Sequence, residues 1–338
     1  MWLSRLGAIM RGLSLPGDRL DDLFFTADIA SLLDDQRGDI RDTEKLAKIT
    51  QEFEPEVVIH LAAQSLVRRS YAEPHTTFAT NVMGTVNLLE AVRATPSVRA
   101  VVIVTSDKCY ENDGSGHPFA EDSPLGGVDP YSASKAGAEL VAKSYRHLIS
   151  SIDSRDSVLI ATARAGNVIG GGDWSEDRLL PDLARGMRLN RSVSIRYPSA
   201  TRPWQHVLDP LNGYLMLAER LFAGEANAAR AWNFGPTSNE VLTVQSVVET
   251  CVRFWAGRPK VVMNRDAIPY EAPLLALDAT RAVEDLGWAP RWTQGEAVEH
   301  TAAWYALVPP NADLGEVRAA CARDLDEFGR ARTDGRDS

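Results

Sequence analysis

Four short apolar runs mark the first half of the chain: Ala8 to Leu15, less regular than the others, then Val57 to Leu61, Ala100 to Val104 and Val158 to Ala163. Each is continuous rather than alternating, as expected of strands covered on both faces. Between them Thr43 to Phe53, Pro74 to Ala94 and Tyr131 to Leu148 carry apolar residues at three- and four-residue spacings, and two begin at a Thr or Pro start signal. This alternation predicts an α/β fold, a parallel sheet wrapped by helices, in a layout suited to nucleotides.

Beyond residue 165 the pattern loosens into Gly-rich loops, shorter helices and scattered tryptophans, punctuated at Gly170 to Gly172, Pro198, Pro203, Pro236 and Pro273. Val207 to Phe222 reads as a helix and Ala231 to Phe234 as a strand returning to the sheet. The predicted organisation is therefore a nucleotide-binding domain over 1–165 plus 207–235, a substrate lobe from 166–206 and 236–310, and a loose, charged tail over 311–338.

The chain has 338 residues, 44% hydrophobic and 24% charged, enough for one large core or two ordinary ones. A net charge of -10 argues against nucleic acid or an anionic membrane as the main partner. No apolar run approaches the roughly 20 residues of a membrane span, and the start lacks a secretory pattern, so a cytoplasmic location is expected. Cys109, Cys251 and Cys321 are far apart, which predicts neither a disulfide framework nor a metal site.

A doubly wound dinucleotide fold opens with a buried strand, a glycine-rich turn and a helix N-terminus that receives a pyrophosphate. Here Met1 to Gly7 reads as the end of that helix, so roughly 25 residues of the unit are expected to lie ahead of the given start. The run Gly166-Asn167-Val168-Ile169-Gly170-Gly171-Gly172 comes too late to be this fingerprint and reads as a loop whose backbone approaches a ligand. The strand ending Leu13-Ser14-Leu15-Pro16 lacks the acidic residue that would meet a ribose hydroxyl, and Asp18 is its nearby substitute.

Tyr131 and Lys135 stand four apart on a predicted helix, so both point to one face and the ammonium is expected to lower the phenol's pKa. Alone, the spacing also suits a solvated helical pair. Ser106, Asp107 and Lys108 follow the apolar strand Val101 to Val104, at the carboxyl end where parallel sheets place ligands. A hydroxyl beside a tyrosine can share a proton, and a carboxylic acid beside an amine supplies an acid and a base. An ordinary strand-end turn is the plainer alternative.

Several segments carry a resemblance: Gly38-Asp39-Ile40-Arg41-Asp42, His60-Leu61-Ala62-Ala63-Gln64, Thr80 to Thr85, Thr105-Ser106-Asp107-Lys108-Cys109-Tyr110, Asp129-Pro130-Tyr131-Ser132, Arg164 to Trp174 and Arg202-Pro203-Trp204-Gln205-His206-Val207. Through them the chain resembles the extended short-chain dehydrogenases/reductases and, within these, the CDP-glucose 4,6-dehydratase family. The resemblance implies a Rossmann-like, doubly wound parallel sheet, NAD as cofactor, CDP-glucose as substrate and a homodimer paired through Pro74 to Ala94 and Tyr131 to Leu148. It places Asp39 and Ile40 at the adenine and Ala62, Ala63 and Gln64 along the phosphate-ribose stretch. Asn81 shapes a central helix, and Thr105 joins the cofactor set.

In the implied reaction Tyr131, assisted by Ser106 and tuned by Lys135, takes the proton of the 4-hydroxyl as hydride leaves carbon 4 for NAD. The ketone acidifies carbon 5, Asp107 protonates the departing 6-hydroxyl, and hydride returns to carbon 6. Lys108 acts either as a neutral base or as a cation beside the enolate. Asn167, Arg178 and Arg202 are the expected pyrophosphate ligands, with Arg196 a further candidate. Trp174 and Trp204 suit either a ligand pocket or the core. His206 and Cys109 read as buried structural residues, and no metal is implied. The alternatives are a nucleotide-sugar epimerase of the same superfamily and a non-catalytic nucleotide-sugar-binding remnant.

Overall fold

Strands β3 (Val57–His60), β4 (Ala100–Val104), β5 (Leu159–Ala165) and β9 (Ala231–Phe234) form a parallel sheet in the order β3-β4-β5-β9. The structure, a computed structural model, describes residues 1–17, 19–112, 114–152, 158–237, 242–255, 261–264 and 276–331. Asp18, Pro273 and the side chain of Arg196 lie outside that description.

Side chains alternate across β4 and so select the two covering layers. Val101 and Ile103, with Ile160 of β5, pack on Leu89 and Val92 of helix Gly84–Arg93 and Ala142 and Ile149 of helix Pro130–Ile152. Ala100, Val102, Ala161 and Ala163 face the other way, onto Tyr214, Leu217 and Leu221 of helix Leu208–Phe222. The sheet is thus wound on both faces, and its continuous apolar runs follow directly.

Ahead of it, β1 (Arg11–Ser14) pairs in parallel with β2 (Asp34–Arg37), and among the described strands none bonds to both β1 and β3. Leu13 and Val58 meet across this junction in a small cluster with Leu46, Leu88 and Ala91. At the junction Val57 is 38% exposed, whereas Val101 and Val102 of β4 are fully covered.

Beyond residue 165 the chain contributes two short parallel pairs, β6 (Val168–Ile169) with β8 (Gln205–His206) and β7 (Val193–Arg196) with β10 (Val261–Asn264). Their core contains Trp174, Leu183, Ile195, Trp204, Val298 and Trp304. The tail, expected to fray or to form a loose helix, forms the packed helix Leu314–Arg330, opened by a capping box between Asp313 and Glu316. Its Val317 and Ala320 enter the lobe core, and Phe328 packs among Trp2, Leu208 and Trp292. Sparse apolar residues at helical spacing suffice once a neighbouring surface receives them. No helix among the described residues is long and apolar enough to cross a membrane.

Candidate active site

Helix Pro130–Ile152 begins beside the carboxyl end of β4, with Asp129 accepting from the Ser132 amide at 3.0 Å and its hydroxyl at 2.6 Å. This cap, followed by Pro130, fixes the first turn that carries Tyr131. A second tether runs through Asn81, which donates to Ser134 Oγ at 2.8 Å while Ser134 donates to the Tyr131 carbonyl at 2.7 Å. Asn81 also exchanges hydrogen bonds with the backbone of Gln64, 2.8 Å from its amide and 3.0 Å to its carbonyl. The helix around Asn81 widens into a π-helical turn, Ala79–Met83.

Ser106, Asp107, Tyr131 and Lys135 are brought together and buried. Ser106 donates to Asp107 Oδ1 at 2.9 Å and caps the turn by accepting from the Lys108 amide at 3.2 Å. The other Asp107 oxygen is buried without a partner. Burial pushes this carboxyl up to about 6, against the pull of Ser106, Lys108 and Arg202. Lys135 donates to the Val104 carbonyl at 3.2 Å, and burial pushes its ammonium down to about 8.

The phenol of Tyr131 departs from expectation: burial raises it to about 12, opposed first by the Ser106 hydroxyl and then by Arg178 rather than by Lys135. The lysine reaches past the tyrosine to the strand, so a four-residue spacing brought the two to one face but did not pair their ends. Lys108 is half-buried beside Asp107. Arg178 stands at the residue before helix Leu179–Arg188 without a side-chain cap bond and lies 3.8 Å from Asp173, and Arg202 donates to the Thr201 carbonyl at 2.8 Å. Asn167 holds its loop through its carbonyl, which accepts from the Gln205 amide at 3.2 Å.

Asp39 pairs with Arg41 at 2.5 Å, and Ile40 is buried against Gly84, where a Cβ would lie 2.4 Å from its side chain. Ala62, Ala63 and Gln64 line the half-exposed turn after β3, Gln64 bridging to Thr77 at 3.0 Å. Thr105 turns its hydroxyl inward to Glu139 at 2.5 Å.

The glycine run is corrected in part. Within the run only Gly166 faces the Asp107 carboxyl, its absent Cβ 3.1 Å from Oδ2. Gly170 and Gly171 instead admit Val207 and the Trp304 ring, with added Cβ distances of 2.7 and 2.1 Å. Trp174 and Trp204 are core residues at 5% and 6% exposure, and Trp174 also lies under Arg188. His206 is buried beside Trp292 and held neutral by burial, down to about 3, while burial raises the Cys109 thiol.

The sequence analysis missed a polar network behind the site. Glu139 pairs with Arg164 at 2.7 Å; Arg164 donates to Tyr110 at 2.7 Å, and Tyr110 donates to Asn233 at 2.7 Å. Its signals were an arginine inside the apolar strand β5 and a glutamate two turns after Tyr131.

The profile described as GDP-mannose 4,6 dehydratase matches residues 13–301. The chain belongs to this family. Within it, the chain is 44% identical over 307 residues to a CDP-glucose 4,6-dehydratase of Salmonella typhimurium, covering 90% of this chain and 86% of the relative. Among solved structures it is similar to a UDP-glucose 4-epimerase of Thermotoga maritima, with TM-score 0.76, 20% identity, and 90% and 93% of the two chains covered. A dTDP-glucose 4,6-dehydratase of Bacillus anthracis, in complex with NAD, gives TM-score 0.72 at 22% identity and 90% coverage of each chain. These two share the family's Rossmann-type α/β fold.

Proposed function

We propose that this chain is an NAD-dependent hydro-lyase that converts CDP-glucose to CDP-4-dehydro-6-deoxyglucose. The carrying observation is Asp107: a buried carboxyl, raised to about 6, with one oxygen unpartnered beside Gly166 and its other oxygen on Ser106. That is a carboxylic acid suited to give up a proton at near-neutral pH. The 44% identity to a CDP-glucose 4,6-dehydratase supports the substrate class.

The residues present suit NAD at two places: buried Tyr131 and Lys135 near the nicotinamide ribose, and Asp39 with Ile40 at the adenine, whereas the Thr105 hydroxyl is spent on Glu139. When bound, NAD supplies the acceptor for two electrons taken at carbon 4 and given back at carbon 6. To receive the 4-hydroxyl proton, with Ser106 sharing it, Tyr131 must be the phenolate, the form that burial disfavours in the unliganded chain and that a bound positive nicotinamide would favour. Asp107 protonates the 6-oxygen as water departs, and Lys108, as a neutral base, takes the carbon 5 proton and returns it when carbon 6 is reduced. Arg178, Arg202 and Asn167 bind the pyrophosphate, the two cations standing against an otherwise acidic chain.

The test is incubation of the chain with CDP-glucose and NAD, followed by mass spectrometry of the sugar nucleotide. Loss of one water is expected. An unchanged mass with inverted carbon 4 would replace the reading with an epimerase, for which Asp107 and Lys108 have no task. CDP binding without any conversion would replace it with a binding remnant. We further infer a homodimer, supported by exposed Phe78, Met83 and Leu140 at 41%, 52% and 56% on the helices that flank the site. Sedimentation should give twice the chain mass, and Met83→Asp with Leu140→Asp should give the single chain; a monomeric unmutated protein rejects the inference.

A further inference from the structure

Behind Lys135 lie buried charges that the proposed reaction leaves without a task. Tyr131, Lys135 and Glu139 follow one another at four-residue intervals along one face of helix Pro130–Ile152. Lys135 holds the Val104 carbonyl at 3.2 Å, and the next residue, Thr105, donates to Glu139 Oε1 at 2.5 Å. The helix therefore grips two consecutive residues of the strand end, immediately before Ser106 and Asp107.

The second Glu139 oxygen accepts from Thr162 at 2.8 Å and Arg164 at 2.7 Å. Arg164 is itself anchored on the Tyr110 hydroxyl at 2.7 Å and the Glu121 carbonyl at 2.9 Å. The ion-pair side chains are 1% and 4% exposed. A buried pair of this kind is weak evidence for stability, since apolar residues of equal volume often serve as well. Its position against Lys135 and the strand end gives it another use.

We propose that Glu139 is a positioning residue: it ties the strand end carrying Ser106 and Asp107 to the helix carrying Tyr131, and its fixed negative charge keeps Lys135 an ammonium. The titratable groups facing Lys135 are Glu139 and Tyr131 on its own helix, Cys109 on the turn after β4 and His60 on β3. Burial keeps the Cys109 thiol protonated, the Tyr131 phenol neutral and the His60 ring uncharged. Burial would raise the Glu139 carboxyl too, but Arg164 and the two threonine hydroxyls bring it below the usual range. Glu139 is thus the ionised member of the set at neutral pH. It opposes the burial that drives the Lys135 ammonium down to about 8.

The catalytic consequence rests on the dehydratase reading; the charge on Lys135 does not, so the test reads both. In the full chain, isotopic labelling of the six lysine side chains allows NMR titration of Lys135, assigned with Lys135→Arg. The unmutated midpoint is expected near 8. Glu139→Gln keeps the shape and removes the charge, and should lower the midpoint by about one unit or more. The alkaline limb of turnover should move down with it, because ammonium is lost at lower pH. Glu139→Asp keeps the charge but draws it back, and should place both readouts between those of Glu139→Gln and the unmutated chain.

An unmoved midpoint in Glu139→Gln overturns the proposal, as does a Glu139→Asp protein that behaves like Glu139→Gln. Should Glu139→Gln not fold, Glu139→Asp decides: its receding carboxylate should lower the midpoint partially, and an unchanged midpoint overturns the proposal. Turnover of CDP-glucose with an unmoved Lys135 rejects the role of Glu139 alone. A moved Lys135 in a chain that never releases water rejects the dehydratase reading and leaves the role of Glu139 supported.

Discussion

Asp107 carries opposite demands from stability and chemistry. Its folded value, about 6, lies above the usual 3.8, so the folded state favours the neutral acid and loses stability as pH rises through about 6. Asp107→Asn should therefore gain on the order of 2–3 kcal/mol over the unmutated chain at pH near 8, and nothing at pH near 3, in urea titrations. The same variant should still oxidise carbon 4 but eliminate water more slowly, seen as reduced nicotinamide that accumulates on mixing with CDP-glucose. Tyr131→Phe should remove that first signal, lowering it by about 10²–10⁴-fold; normal turnover in both variants would refute the assigned roles. Tyr131, Lys135, Ser106 and Asp107 were legible because one helical turn and one strand end are local facts. That Lys135 reaches the Val104 carbonyl while Ser106 serves the phenol was not, because it depends on how far the helix stands from the strand.

At the scale of elements, the glycine-rich loop and the terminal helix show packing overriding a local reading. Gly171 lies against the Trp304 ring, where an added Cβ would come within 2.1 Å. Gly171→Ala should cost about 1–3 kcal/mol by overpacking. Gly329, near the end of helix Leu314–Arg330, has nothing within 4 Å of an added Cβ. Its change to Ala should be neutral or stabilise by up to about 1 kcal/mol, and chemical denaturation of the pair checks the contrast. Equal effects would show that the loop glycine is not set by Trp304. The loop's Gly, Asn and Asp content announced a turn, but its partner is 133 residues away in sequence and belongs to another helix. The terminal helix was read as loose for a related reason: Phe328 meets Trp2 and Trp292 only after the fold has closed.

For the whole molecule, buried titratable groups set how stability responds to pH. His60 and His206 fall from 6.5 to about 3 on burial, which adds stability as pH rises through that interval. Asp209 and Asp324 are raised from 3.8 to about 7, chiefly by burial, and with Asp107 they remove stability as pH rises across nearly the same interval. Between pH about 4 and 6 the two histidines offset two of the three carboxyls, so melting temperature should fall only gently there and be level from about 6 to 6.5. Of these groups only Asp209 and Asp324 still titrate from about 6.5 to 7, so melting temperature should decline there, and Asp209→Asn with Asp324→Asn should abolish that decline; calorimetry across pH would expose a continued rise as contradiction. By itself the sequence determined the α/β class, the strand and helix positions around the sheet, and which polar and titratable side chains stand at the strand end and the first turn of the helix beside it. Those follow from periodicity, chain breaks and residue chemistry, all of which act over a few residues. The tertiary structure alone decided the burial that shifts Asp107 and Lys135, the Glu139–Arg164 pair behind them, and the assignment of Trp174 and Trp204 to the core. Desolvation and ion pairing depend on what distant segments place around a group, and that becomes defined only when the sheet and its two helical layers meet.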